Sequence, residues 1–197
     1  TGPNPAGGFD VFPGNPNNST IWTYDEPAKT SDGLDYAGIQ TIDDVLPAGR
    51  GAMIFFRGAR TNPGGKLKAP YDHPESVVLD YEGVLNQGPV EVSLSHTGNN
   101  EATDGFYLLG NPYASTLDWN SPGWVKLNIT GQIWIYNPAS KQYAIFDGEN
   151  GTNGGNRYIA PGQAFFVKTT DNGSITFNEE VKTDQTVKRD FPLFMGA

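Results

Sequence analysis

Ile133-Trp134-Ile135-Tyr136-Asn137-Pro138-Ala139-Ser140-Lys141 restates, with one residue shifted at the proline, a stretch near the start of the chain, Ile21-Trp22-Thr23-Tyr24-Asp25-Glu26-Pro27-Ala28-Lys29. The match extends outward in register. Gly49-Arg50-Gly51-Ala52-Met53-Ile54 begins 27 residues after Trp22, and Gly162-Gln163-Ala164-Phe165-Phe166-Val167 begins 28 after Trp134. Further on, Val78-Leu79-Asp80-Tyr81 parallels Ile175-Thr176-Phe177-Asn178, and upstream Phe12-Pro13-Gly14-Asn15-Pro16 faintly echoes Leu109-Gly110-Asn111-Pro112. Two copies of strand, long loop, glycine elbow and strand describe an internal repeat. Each half is too short to close its own sheet edges, so residues 1–97 and 98–197 are expected to be two pseudo-repeats sharing one core. The seam is placed at the polar run His96–Asp104.

Between these landmarks the apolar residues form short runs rich in Ile, Val, Phe, Tyr and Trp, each closed by Gly, Pro, Asn or Asp. Strands are predicted at Thr20–Tyr24, Ala52–Phe56, Ser76–Tyr81, Val90–Ser95, Phe106–Leu109, Gln132–Tyr136, Gln142–Phe146, Ala164–Thr169 and Ser174–Asn178. The alternation of Val90, Val92 and Leu94, and of Ile133 and Ile135, reads as sheet with one buried face. Met53–Phe56 and Phe165–Val167 are apolar on both faces and belong at sheet centres. No segment keeps a 3.6-residue period, and 25 Gly with 15 Pro among 197 residues leave little room for helices. The predicted class is an all-β, antiparallel, jelly-roll-like β-sandwich.

Composition narrows function. A net charge of −9 opposes a phosphate-binding surface, so nucleic acid is not an expected partner. The absence of cysteine removes disulfides, thiolate metal sites and a cysteine nucleophile. No run approaches the ~18 apolar residues of a membrane span, and membrane insertion is not expected. The chain starts at Thr1, as a processed product or a piece of a larger multidomain protein would.

The run Leu108-Leu109-Gly110-Asn111-Pro112-Tyr113-Ala114-Ser115-Thr116-Leu117-Asp118-Trp119, followed by Ile133–Asn137 and then Tyr158-Ile159-Ala160-Pro161-Gly162-Gln163-Ala164-Phe165-Phe166-Val167, resembles a known region. It is similar to the segment preceding the C-terminal sorting domain in large surface proteins that Bacteroidota export by type IX secretion. The resemblance covers Phe106–Lys182 closely and the first half more loosely. It implies a secreted or cell-surface, adhesin-like protein, and no catalytic residue. The sorting domain itself is not among these residues, so export is expected of a parent protein.

Sugar-binding modules stack pyranose rings on Trp and Tyr, flanked by side chains that hydrogen-bond hydroxyls. Trp119, Trp124 and Tyr113 lie in a Pro/Gly/Asn-rich segment with Asp118 and Asn111, and form the candidate site for an extracellular polysaccharide or cell-surface glycan. The plainer reading makes Asp118-Trp119 a plug for the sandwich rim. Trp22 and Trp134, inside strands, read as core. The loop Asp147–Asn156 sets oxygen ligands Asp147, Glu149, Asn150 and Asn153 on a glycine-loosened backbone, a candidate calcium site, or else simply a turn.

Asp25, Glu26, Asp32, Asp35, Asp43 and Asp44 read as a solvated acidic surface. The basic residues Arg50, Arg57, Arg60, Lys66 and Lys68 could grip an acidic polysaccharide or pair with that surface. Only His73 and His96 could serve as imidazole bases, and no nucleophile elbow or His-Glu-x-x-His motif accompanies them. The expectation is therefore a non-catalytic adhesion or glycan-binding module. A structural spacer is the first alternative and a small glycan-active hydrolase the second.

Overall fold

The computed structural model describes residues 19–24, 26, 36–39, 41, 43–56, 70, 72, 75, 83–98, 100, 103–187 and 195–196. The expected strand Ser76–Tyr81 lies outside them, as do His73, Arg57, Arg60, Lys66, Lys68, Asp25, Asp32 and Asp35. The fold is all-β. In chain order the strands are β1 (Ile21–Tyr24), β2 (Tyr36–Gly38), β3 (Met53–Phe56), β4 (Val90–Leu94), β5 (Phe106–Gly110), β6 (Thr116–Asp118) and β7 (Val125–Ile129). They continue as β8 (Ile133–Asn137), β9 (Gln142–Phe146), β10 (Gly151–Thr152), β11 (Tyr158–Ile159), β12 (Ala164–Phe177), β13 (Lys182–Thr183) and β14 (Met195–Gly196). Among the described residues, strand pairing is antiparallel except between β14 and β3. No helix among the described residues is long and apolar enough to cross a membrane.

One strand organises the largest sheet. The sequence reading divided Ala164–Asn178 at Asp171-Asn172-Gly173, taking those polar residues as a turn, but the chain runs through them as the 14-residue β12. Both ends are laddered on two edges: Ala164–Lys168 to β5, with Phe166 opposite Trp134 of β8, and Gly173–Phe177 to β4, with β7 alongside. With so many ladder bonds at stake, the polar residues are accommodated as a bulge. The register with β7 slips between Thr169 and Ser174. Asn128 faces the slip with φ 56° and its Nδ2 donates to Asn172 O at 2.7 Å. Alternation along β12 sends Phe165, Val167, Ile175 and Phe177 into complete burial. They join Val92, Leu94, Ile133 and Ile135 on the faces that the two-residue period predicts.

The buried cluster among the described residues draws on positions from Val92 to Val181. The small sheet β11-β6-β13 contributes Leu117 and Ile159 to that cluster. A further sheet, in the order β14-β3-β1-β2, joins three strands of residues 1–97 to β14 from the end of the chain and attaches along the free edge of β5. Arg50 bridges to Leu109, Gly51 N–H donates to Leu108 O at 3.0 Å, and Gly110 N–H donates to Gly49 O at 3.0 Å.

The two halves share a pairing pattern. In β2-β1-β3, Trp22 faces Met53 and Tyr24 faces Tyr36. In β9-β8-β12, Trp134 faces Phe166 and Tyr136 faces Tyr143. Met53 and Phe166 each lie four residues beyond a glycine of positive φ, Gly49 at 82° and Gly162 at 67°. The glycine elbow is thus a left-handed backbone position in both halves, a conformation that side chains with a Cβ resist.

Candidate functional site

The motif residues that sequence reading put forward for a glycan are used internally, which corrects the expectation of rings held outward. Trp119 is 1% exposed, Tyr113 3% and Trp124 9%. Trp119 and Trp124 pack at 5.2 Å between centroids, Trp119 meets Phe165 at 5.9 Å, and Trp124 meets Phe177 at 5.1 Å. Their indole N–H groups donate to Gly131 O and Asp118 O, both at 2.8 Å. A turn can hold a ring outward only where no core lies beneath it, and here the β12 aromatics lie beneath both.

Asp118 and Asn111 are likewise engaged. Arg157 grips Asp118 in a bidentate fork, Nε to Oδ1 at 2.6 Å and Nη2 to Oδ2 at 2.7 Å, and Asn120 N–H donates to Oδ1 at 3.0 Å. Buried Asn111 donates through Nδ2 to Ser115 O (2.8 Å) and Ala160 O (3.0 Å), and accepts from Tyr113 N–H (2.9 Å). Its own N–H donates to Gln163 O at 3.0 Å. The Asn-Pro-Tyr and Ala-Pro-Gly-Gln motifs therefore lock each other. Tyr113 Oη lies between Gly88 O and Phe177 O, and burial, then the charges of Glu179 and Glu180, raise its pKa.

Lys126 is an inverted residue. Its apolar neighbours Val125 and Leu127 are more than half exposed, while its ammonium sits 3.4 Å from the Trp119 ring centroid and donates to Trp119 O at 2.9 Å. Burial lowers its pKa to about 8, against the opposing pull of Asp118. Between pH 8 and the unfolded value of 10.5 the unfolded state holds more protons at this site, so its contribution to stability rises with pH there. We expect the stability difference between wild type and Lys126→Met to shift in favour of wild type from pH 8 to pH 10, read from urea midpoints. A pH-independent difference would contradict the burial of the charge.

In the loop read as a calcium site, Asp147 Oδ1 accepts the N–H groups of Glu149 (2.8 Å) and Asn150 (2.6 Å), which hold its pKa below the usual carboxylate range. Asn153 adopts φ 53° and donates through Nδ2 to Tyr143 O at 3.2 Å. The geometry is that of an Asx turn. No group of three or more His, Cys, Asp or Glu able to hold a metal occurs among the described residues.

The aromatic surface lies elsewhere, where strand position had read as core. The face of β5-β12-β8-β9 opposite the buried cluster carries Phe106, Phe166, Trp134 and Tyr143. Tyr24 and Tyr36 of the first half close over it, and together the six rings line a cavity of about 300 Å³. Trp134 is half-buried. The walls meet edge to face: Tyr24 and Phe166 at 80°, Tyr143 and Phe166 at 82°, Phe106 and Trp134 at 67°, Tyr24 and Tyr36 at 74°. The Tyr143 hydroxyl is hydrogen-bonded to Tyr36, but burial still raises its pKa. Lys168 stands 5.0 Å over the Phe106 ring. Trp134 and Phe166 also line a neighbouring cavity of about 350 Å³ against the Leu46–Ile54 segment. Only the pairing of the two halves assembles these rings, although their types were visible as the Trp-x-Tyr repeat. Arg50 is held in the same region, 5.5 Å over the Tyr107 ring. Comparison of the chain with family models, curated proteins and solved structures returned no match.

Proposed function

We propose that the chain is a non-catalytic module of an exported bacterial surface protein, and that it holds one sugar ring of an extracellular or cell-surface glycan in the aromatic cavity between its halves. The observation that carries this reading is the lining of that open cavity by six aromatic rings, Tyr24, Tyr36, Phe106, Trp134, Tyr143 and Phe166. Its volume of about 300 Å³ is at the lower end of small-molecule sites, and its walls suit the C–H face of a pyranose. The hydrogen-bonded Tyr143–Tyr36 pair at the cavity wall is the polar element such a ring would meet. Surface display is supported by the resemblance of Phe106–Lys182 to the region preceding type IX sorting domains.

The test is a glycan array with wild type, Trp134→Ala and an exposed control, Leu127→Ala. We expect a hit whose affinity falls at least ~10-fold in Trp134→Ala and is unchanged in the control. A blank array, or a hit indifferent to Trp134, would favour the second reading, a structural spacer. That reading is supported by the complete engagement of Asn111, Tyr113, Asp118, Trp119 and Trp124 in packing and internal hydrogen bonds.

A further inference from the structure

The acidic run that sequence reading placed on a solvated surface contains one residue that is not there. Asp43 and Asp44 are exposed, but Glu26, just after β1, has no exposed surface, and neither does Asp104, in the turn entering β5. Both reach one hydroxyl. Thr97 Oγ1 hydrogen-bonds Glu26 Oε1 and lies 3.0 Å from Asp104 Oδ2. Further donors reach the same carboxylates, Thr97 N–H to Glu26 Oε1 at 2.8 Å, Asn100 N–H to Asp104 Oδ2 at 2.7 Å and Thr103 Oγ1 to Asp104 Oδ1 at 3.2 Å.

A threonine hydroxyl has one hydrogen, so it can donate to only one of two ionised carboxylates, and the other contact sets lone pair against lone pair. Independently, Glu26 Oε2 is buried and has no hydrogen-bond partner. Buried carboxylates are held in proteins by a proton, a paired charge or a metal ion. Two carboxylates and a hydroxyl meet here in a chain of net charge −9, and oxygen groups of this kind are the ligand chemistry of a hard divalent cation.

We propose that Glu26 and Asp104, with Thr97 between them, bind a calcium-type cation at the seam of the two halves. Glu26 belongs to the first half, while Thr97 and Asp104 lie on the segment joining β4 to β5. The ion therefore couples docking of the first half to the core of the second. This site is distinct from the Asp147–Asn153 loop.

The test is thermal unfolding and calorimetric titration of the full chain with calcium chloride against chelator, for wild type, Glu26→Gln and Asp147→Asn. We expect calcium at ~100-fold its Kd to raise Tm by about 5–10 °C in wild type and in Asp147→Asn, with no shift in Glu26→Gln. Asp104→Asn provides a second loss-of-site variant should Glu26→Gln fail to fold. Two outcomes overturn the proposal. One is a calcium shift that survives in Glu26→Gln and vanishes in Asp147→Asn, which would place the ion in the loop. The other is no calcium response, with Glu26→Gln in chelator at least as stable as wild type, which would show a shared proton instead.

Discussion

Replacing Trp119 with alanine should lower the stability of the chain by about 3–5 kcal/mol, the range for removing a large aromatic side chain from a packed core. The ring is 1% exposed and is held on several sides. It packs against Trp124 and Phe165, Lys126 lies over its face, and its N–H donates to Gly131 O. Alanine would leave a cavity lined by Trp124 and Phe165, strand Gly131 O, and deprive the buried Lys126 ammonium of its cation–π partner. The measurement is the urea midpoint at pH 7. A ring serving as a sugar platform would leave that midpoint nearly unchanged when removed, so a loss below ~1 kcal/mol would return Trp119 to the list of binding residues. The spread expected for such a substitution reflects how far the site collapses.

The two glycine elbows should respond unequally to alanine, Gly49 more than Gly162. Both have positive φ, and an L side chain in that region costs about 1–2 kcal/mol. At Gly162 that is the whole effect, because a Cβ there would meet nothing within 4 Å. At Gly49 the Cβ would lie 2.6 Å from Val92 Cγ2 and 3.3 Å from Phe177 Cε2, both core side chains. Overpacking of this kind adds about 1–3 kcal/mol, giving a total near ~3–4 kcal/mol for Gly49→Ala. Equal denaturant midpoints for the two variants would show that the first half does not press against the core at this point. The comparison also separates backbone strain from steric conflict, since only Gly49 carries both.

Strand positions were legible where one face is buried and the other wet. Val92 and Leu94, and Ile133 and Ile135, alternate in the sequence and are buried as that alternation requires. The short strands β6 and β7 were not legible. β6 is three residues with a polar side chain at each end, and in β7 the apolar residues Val125 and Leu127 face outward while Lys126 turns in. A period-two pattern read as usual would assign β7 the opposite face. What turns it is the Trp119 ring, which offers a cation–π contact, and the Trp119 carbonyl beside it. Nothing local to β7 signals either.

The aromatic residues show the same division. Their types and repeat spacing were plain, but the sequence left Trp119 between a binding ring and a plug for the sandwich rim, and the structure takes the plug, while Trp134, read as core, is half-buried beside a cavity. A tryptophan in a Gly/Pro-rich loop can cover a core as readily as a ligand, and a tryptophan in a strand faces whatever covers its side of the sheet. Here the loop folds back over Phe165 and Phe177, and the outer face of β8 meets Tyr24 and Tyr36 across a cavity. Glu26 was misread for a related reason. Beside it in sequence stand Asp25 and Pro27, while its neighbours in space are Thr97 and the turn holding Asp104, more than 70 residues away.

The sequence by itself determined the all-β class, the strands with one buried face and the two glycine elbows, because each follows from side-chain period or backbone sterics within a few residues. Only the tertiary structure decided which aromatic rings are core and which line a cavity, and that a carboxylate near the start of the chain is buried at the seam. Burial depends on what the rest of the chain lays over a residue, and contacts between segments 70 residues apart leave no mark in either segment alone.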